Sequence, residues 1–342
     1  MKKPLRVLVL MHPTLVPPDS LKGHTPDEIN VWKTEYDVVS NLRKLGHEVR
    51  PLGVQDELNP IRAAAEDWKP EVVFNLLEEF HGLSNFDQHV VSYLELLKLV
   101  YTGCNPRGLV LARSKAITKK IAAYHRVRVP AFVMVPRGHK PRRPRSLRFP
   151  LFVKSASEES SLGIAQASIV DSDERLAERV RFIHESVETD ALVEEYIEGR
   201  ELYVGAIGNE RVRVLPTWEM DFGKLSESGE PIATARVKHS PDYQKKHRID
   251  IRRAEDLDPA IERLLSRTTR RVYRMLELDG CARVDYRLTA KGELYLLEAN
   301  PNPEIAEKEE FASAAAAAGL KYRALLARVL SLALSRPRAP GA

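Results

Sequence analysis

CARVDYRLTAKGELYLLEAN, residues 281–300, reads as two strands, 282–288 and 293–299, joined by a turn containing Lys291 and Gly292. Side chains alternate faces along a strand, so Arg283 and Asp285 share one face, as do Glu298 and Asn300. With Leu288 opposite Glu293, antiparallel pairing sets Asp285 against Leu296 and Arg283 against Glu298. All four polar groups then lie on one side, and Val284, Tyr286, Tyr295 and Leu297 fill the other. Carboxylate and amide oxygens are ligands of hard cations such as Mg²⁺, which usually also meets phosphate. The plainer reading is a solvated hairpin face with a surface ion pair. The flanking sequence decides between them.

The chain has 342 residues, 43% of them hydrophobic, enough for a substantial core and two or three domains. A net charge of +5 with 30% charged residues suits anionic ligands but falls short of a nucleic-acid binder. Cys104 and Cys281 form no metal or redox spacing, as expected in a reducing cytosol. The opening MKKPLRVLVLMHPTLVPP has a basic start, but its apolar run is short and ends at His12-Pro13. It reads as a buried strand, not a signal peptide. No apolar run reaches transmembrane length. The expectation is a soluble, cytoplasmic protein without a membrane partner.

From the start, strands at 5–11, 48–52, 72–76 and 100–103 alternate with helices at 25–46, 60–68 and 87–97. Thr25, Pro26 and Glu28 form the capping signature of the first helix, Gly46 ends it, and Ile29, Trp32, Tyr36, Val39 and Leu42 keep helical spacing. This alternation predicts an open parallel sheet and a first domain over 1–107. A second, 108–194, holds one helix over 110–124, strands at 130–135, 151–154 and 164–170, and a helix over 173–188. Its stretch PRGHKPRRPRSLRFP, with the basic run 137–148, reads as a solvated loop. A third, 195–336, opens with strands at 202–207 and 212–218. The polar and basic segment 221–253 reads as a loop acting as a lid. The helix 259–276, the hairpin and a helix within 312–335 follow, then a tail at 337–342.

Taken in order, these landmarks resemble the ATP-grasp carboxylate–amine ligases, and among them the D-alanine–D-alanine ligases, over nearly the whole chain. The resemblance implies an α/β ATP-grasp fold: an N-terminal open parallel-sheet domain and two α+β subdomains clasping ATP. It assigns Asp285, Glu298 and Asn300 to two Mg²⁺ ions, with Mn²⁺ as the alternative, and aims Arg283 at the transferring phosphoryl group. Lys115, in LARSKAITKK, and Lys154, in FVKSASEESSLGI, match phosphate-binding lysines. Ser160-Ser161-Leu162-Gly163 matches a loop covering the site, with Ser160 in the reaction and Ser161 and Gly163 on phosphates. Glu159 stands where the family usually has glycine, which puts the closed shape of that loop in question. In LVEEYIEGRELYV, Glu194, Glu195, Tyr196 and Ile197 match the adenine-binding hinge, and Glu201 the ribose-binding glutamate. Lys238, in ARVKHSPDY, matches a lid lysine that reaches the terminal phosphate.

The implied reaction is attack of a carboxylate on the γ-phosphate, then displacement of phosphate from the acyl phosphate by an amine. Small-molecule carboxylates and amines would be the partners, and a homodimer is compatible. The competing readings are a ligase of other substrates on the same fold, a nucleotide-binding regulator without turnover, and a nucleic-acid module resting only on the basic runs. In the first domain the match thins to Phe80-His81-Gly82 and Tyr101-Thr102-Gly103. The family's glycine-rich first loop is replaced by MHPTLVPPDS, and Glu35 is the nearest candidate for its substrate-anchoring glutamate. After the asparagine, D-alanine ligases usually carry a glycine and a small hydroxyl residue. The positions here are Glu304 and Glu309, with Glu307 and Glu310 nearby, so the amine is expected to differ from D-alanine.

Overall fold

β1 (Arg6–Met11) is buried from Val7 onward because both faces of its sheet are covered. It pairs in parallel with β2 (Glu48–Gly53) and β3 (Val72–Asn75) in the order β2-β1-β3. The computed structural model describes residues 3–336 apart from 157–163, 224, 226–231, 235–236 and 238–239. The Thr25 capping box forms: Glu28 N–H donates to Thr25 Oγ1 at 3.3 Å, and Thr25 N–H to the Glu28 carboxylate at 2.8 Å. The single helix expected up to Gly46 is broken at Trp32 into Pro26–Val31 and Lys33–Lys44. The break seats the buried indole between His24 and Tyr36, with ring centroids 5.5 and 5.8 Å away. The strand expected at 100–103 reduces to a bridge between Tyr101 and Val73. The last helix, Tyr322–Ser335, closes this sheet, its Leu325, Leu326 and Val329 sharing a core with Val9, Leu42 and Phe74.

The 110–124 helix is likewise two helices, Pro106–Arg113 and Lys115–Tyr124. Asn105 caps the first through Gly108 N–H, and Ser114, in extended backbone, caps the second through Ile117 N–H. Beyond them an antiparallel sheet contains β4 (Phe132–Val135), β5 (Leu151–Ser155), β6 (Ile169–Val170) and β7 (Ala191–Glu195) in the order β4-β7-β5-β6. The strand expected over 164–170 thus shrinks to two residues. The expected helix 173–188 ends at Phe182 and runs out in a wide turn, Ile183–Val187. In the basic loop, Arg143 pairs with Asp173 at 2.9 Å and Arg137 with Glu188 at 2.8 Å. Those arginines anchor the loop to its own neighbours.

The third sheet is antiparallel, in the order β11-β10-β8-β12-β13, with β9 beside β8. Its members are β8 (Arg200–Ile207), β9 (Arg213–Val214), β10 (Trp218–Asp221), β11 (Asp250–Arg253), β12 (Cys281–Leu288) and β13 (Leu294–Pro301). The 221–253 segment is therefore not wholly loop. Its end forms a helix, Pro241–His247, and the strand β11, and Phe222, Val237 and Ile249 pack with Tyr203 and Met220. Helix Pro259–Met275 covers one face of the sheet with Leu265, Val272 and Tyr273 against Val284, Tyr286 and Leu296.

The hairpin register differs from the expected one. Leu288 faces Leu294, Tyr286 faces Leu296, Asp285 faces Glu298 and Arg283 faces Asn300, with a β-bulge at Leu297. The extra residue switches faces between Leu296 and Glu298. Leu294 and Leu296 enter the core, whereas Glu298 and Asn300 join Arg283 and Asp285 on the open side. Leu296, expected opposite Asp285, is thus a core residue; Tyr295 sits opposite Arg287, and Leu297 lines the open side.

Candidate active site

The open face of β12 carries Arg283, Asp285 and Arg287 at two-residue spacing. Arg283 grips Asp285 with two hydrogen bonds, Nε to Oδ1 at 2.8 Å and Nη2 to Oδ2 at 2.9 Å, and also donates to Glu310. Burial alone would lower the Arg283 guanidinium, but Asp285 and Glu310 outweigh it, so the group lies well above its ordinary value and stays charged. Asn300 Nδ2 donates to Asp285 Oδ2 at 3.1 Å, which leaves its amide oxygen as the atom able to ligate.

Opposite this face, Glu194 at the end of β7 lies between two lysines. Lys154 from β5 reaches Oε1 and Lys119 reaches Oε2, each at 2.8 Å. Lys119 also donates to the carbonyl of Leu297, the bulge residue, at 3.2 Å. Lys119, Lys154 and Glu194 are 0, 6 and 3% exposed, so one buried carboxylate balances two buried cations. Burial pushes the Glu194 carboxyl up, but Lys119 and Lys154 together hold it below its ordinary value. Burial pulls Lys154 down, yet Glu194 and Glu298 keep it above its own. Glu201 is held just as firmly: Tyr203 donates to Oε1 and Arg287 to Oε2, both at 2.8 Å.

Between the two antiparallel sheets runs a cleft of about 680 Å³. Its lining includes Lys115, Lys154, Glu194, Glu195, Tyr196, Ile197 and Glu201, and, facing them, Arg283, Asp285, Glu298 and Asn300. All the described residues singled out in the sequence for catalysis, nucleotide or metal therefore meet in one cavity. Ser160, Ser161, Gly163 and Lys238 lie outside the described residues. In the hinge, Glu195 N–H donates to Ala131 at 2.9 Å and Tyr196 N–H to Pro150 at 3.0 Å. Among the described residues nothing accepts from Ile197 N–H, which lines the cleft.

Three participants went unread in the sequence. Lys119 stands four residues after Lys115, one helical turn on, and Arg287 stands two after Asp285, on the same strand face. Both spacings were there to be used. Tyr203 carried the same signal, standing two residues after Glu201 on one face of β8.

Residues 120–331 match the family described as D-ala D-ala ligase C-terminus. The chain belongs to this family. An uncharacterized protein of Sinorhizobium fredii is 32% identical over 306 residues, covering 87% of both chains. A D-alanine–D-alanine ligase of Bordetella avium is 29% identical over 266 residues, covering 76% of this chain and 78% of its own. The crystal structure of a Bacillus anthracis D-alanine–D-alanine ligase complexed with ATP superposes with a TM-score of 0.74 at 21% identity, over 96% of this chain and 97% of that one. The fold is the ATP-grasp fold. Among the described residues no helix is long and apolar enough to cross a membrane.

Proposed function

We propose that the cleft binds ATP with divalent metal and joins a small-molecule carboxylate to an amine through an acyl phosphate. Family membership gives the reaction class, ATP-dependent formation of a C–N bond. The observation that carries the reading is the single hairpin face bearing Arg283, Asp285, Glu298 and Asn300 in the cleft that also holds Lys115 and Lys154. In this reading the three sheets belong to three domains, 1–107, 108–194 and 195–336.

The donor set fits a hard divalent ion: two carboxylates and an amide oxygen on neighbouring positions of one ladder. The third protein oxygen is the amide oxygen of Asn300, left open because its Nδ2 donates to Asp285. Mg²⁺ held there would neutralise phosphate charge as it develops. Lys154, fixed by Glu194, and Lys115 contact phosphate oxygens. The Ile197 N–H and the Glu195 carboxylate face the base, and Glu201, oriented by Arg287 and Tyr203, accepts from the ribose hydroxyls. The resemblance assigns Ser160, Ser161 and Gly163 to the phosphates and Lys238 to the terminal one; all four lie outside the described residues.

A substrate carboxylate oxygen attacks the γ-phosphorus while the bond to ADP breaks. The amine nitrogen then attacks the acyl carbon, the C–O bond breaks, and phosphate leaves with the electron pair as the nitrogen loses a proton. Arg283, kept protonated by Asp285 and Glu310, stabilises negative charge in both steps. The test is ADP release with panels of carboxylates and amines, comparing wild type with Glu298→Ala. We expect activity in wild type and none in a folded Glu298→Ala; a fully active variant would remove the metal assignment.

A further inference from the structure

β8 runs beside β12 in antiparallel register, with Glu201 opposite Arg287 and Tyr203 opposite Asp285. Two-residue spacing puts Glu201 and Tyr203 on the same face of β8, and both line the cleft. Tyr203 is 3% exposed and is held in three ways. Its hydroxyl donates to Glu201 Oε1 at 2.8 Å. The Arg283 guanidinium sits over its ring, with Cζ 5.0 Å from the ring centroid. The ring also packs with Met220 of β10 and with Phe222, Val237 and Ile249 of the 221–253 segment. Hydrogen bonds to Asp285 and Glu310 hold Arg283 by its nitrogens, and the tyrosine ring supports the cation from the β8 side. One rigid side chain thus touches both the carboxylate assigned to ribose and the arginine assigned to the transferring phosphate.

We propose that Tyr203 is a positioning residue that couples recognition of the nucleotide's ribose to the arginine at its terminal phosphate. The inference rests on the site assignments above. An ionised carboxylate offers about four lone-pair positions. Tyr203 on Oε1 and Arg287 on Oε2 take one on each oxygen, which leaves one on each for the two ribose hydroxyls. Ribose bound there fixes the Glu201 carboxylate, and the Tyr203 hydroxyl is fixed with it. The ring turns as one body with its hydroxyl, so the same contact sets the support under Arg283. Met220, Phe222, Val237 and Ile249 confine the ring, and close packing makes it transmit a displacement instead of absorbing it. The two functions of the side chain are separable. Tyr203→Phe keeps the ring under Arg283 and breaks the link to Glu201, whereas Tyr203→Leu removes both.

The test is calorimetric titration of the full chain, with Mg²⁺ present, by ADP, 2′-deoxyADP and the imido analogues of ATP and 2′-deoxyATP. The affinity of the imido triphosphate relative to its diphosphate measures the terminal-phosphate contact. In wild type we expect this ratio to be about fivefold or more larger for the ribonucleotides than for the deoxynucleotides. In Tyr203→Phe the two ratios should coincide. In Tyr203→Leu they should also coincide, at a value below that of Tyr203→Phe, because the cation has lost its support. Equal ratios for ribose and deoxyribose in wild type overturn the proposal. So does a Tyr203→Phe protein that loses affinity for all four nucleotides in proportion, as a purely structural role requires. Tyr203→Phe conserves the packing, so it decides the matter even where Tyr203→Leu fails to fold. The two readings fail separately, since no titration here uses a carboxylate or amine substrate. Coupled ratios without ADP release for any substrate pair sink only the ligase reading, and ADP release with uncoupled ratios sinks only the role of Tyr203.

Discussion

Glu35 and Glu194 are both buried carboxylates, and their neighbours give them opposite behaviour. Burial, reinforced by Glu304 and Glu78, pushes Glu35 up to about 7 from an ordinary 4.5. The folded chain therefore holds this proton more tightly than the unfolded one. The resulting stabilisation is full below pH 4.5 and is lost as pH rises toward 7. Glu35→Gln removes that loss, so it should be more stable than wild type at pH 8, by on the order of 2–3 kcal/mol. The two proteins should converge near pH 4. Thermal melts at both pH values check this, and an unstabilised variant at pH 8 would contradict it. For Glu194 the sign reverses. Burial raises it, but Lys119 and Lys154 hold it below 4.5, so its contribution is present above that value and lost as pH falls through the depressed one. Glu194→Gln removes the carboxylate that both buried lysines contact. It should destabilise the fold by about 3–5 kcal/mol at pH 7, read from urea denaturation.

At the scale of elements, the site depends on where helices begin and where a strand bulges. Ser114 ends one helix and caps the next, which puts Lys115 in the first turn at the edge of the cleft. Ser114→Ala should cost about 1 kcal/mol of stability through the lost cap. It should also weaken ATP binding, measured by calorimetry, and unchanged affinity would mean that Lys115 is held by other means. Lys119, one turn further along, ties this helix to Glu194 of β7 and to the bulge carbonyl of Leu297. Lys119→Met should therefore reduce nucleotide affinity, by roughly 1.5–3 kcal/mol if one charge-assisted hydrogen bond governs the geometry. Equal affinities in Lys119→Met and wild type would reduce that residue to a packing role. The bulge had a trace in the sequence: residues 294, 296, 298 and 300 run Leu, Leu, Glu, Asn. Unbroken alternation puts them all on one face, and that change of polarity marks the switch.

At the scale of the whole molecule, the first sheet is completed by the last helix. Leu325 and Leu326 of Tyr322–Ser335 are fully buried beside Val9, Leu42 and Phe74, more than 240 residues away in sequence. Leu326→Ala should cost about 2–5 kcal/mol, and denaturation should show loss of the first sheet as well as of the final helix. The end of the hairpin is tied to the first sheet in the same way. Asn302 accepts from Cys104 N–H at 2.7 Å, and Arg336 pairs with Asp279 at 2.8 Å while donating to the carbonyl of Tyr101 at 3.3 Å. These ties hold Glu304 beside Glu35 and so shape the cavity that both line.

The sequence by itself determined the α/β class, the order of the elements and the polar set of the hairpin. Strand alternation and helix capping act over two to four residues, so their marks are written locally. The family resemblance pointed, by the same short motifs, to the lysines, the hinge and the metal set proposed above. The breaks at Trp32 and Ser114, the exact register of the bulge at Leu297 and the burial of Glu35 were decided only by tertiary structure. The bulge carbonyl and Glu35 meet partners distant in sequence, Lys119 and Glu304, whereas the indole at the Trp32 break packs on His24 and Tyr36 of its own segment. A lone glutamate on a helix reads as solvated until the opposite wall is in place, because a charge is defined by the medium around it, and that medium is assembled only when the chain has folded.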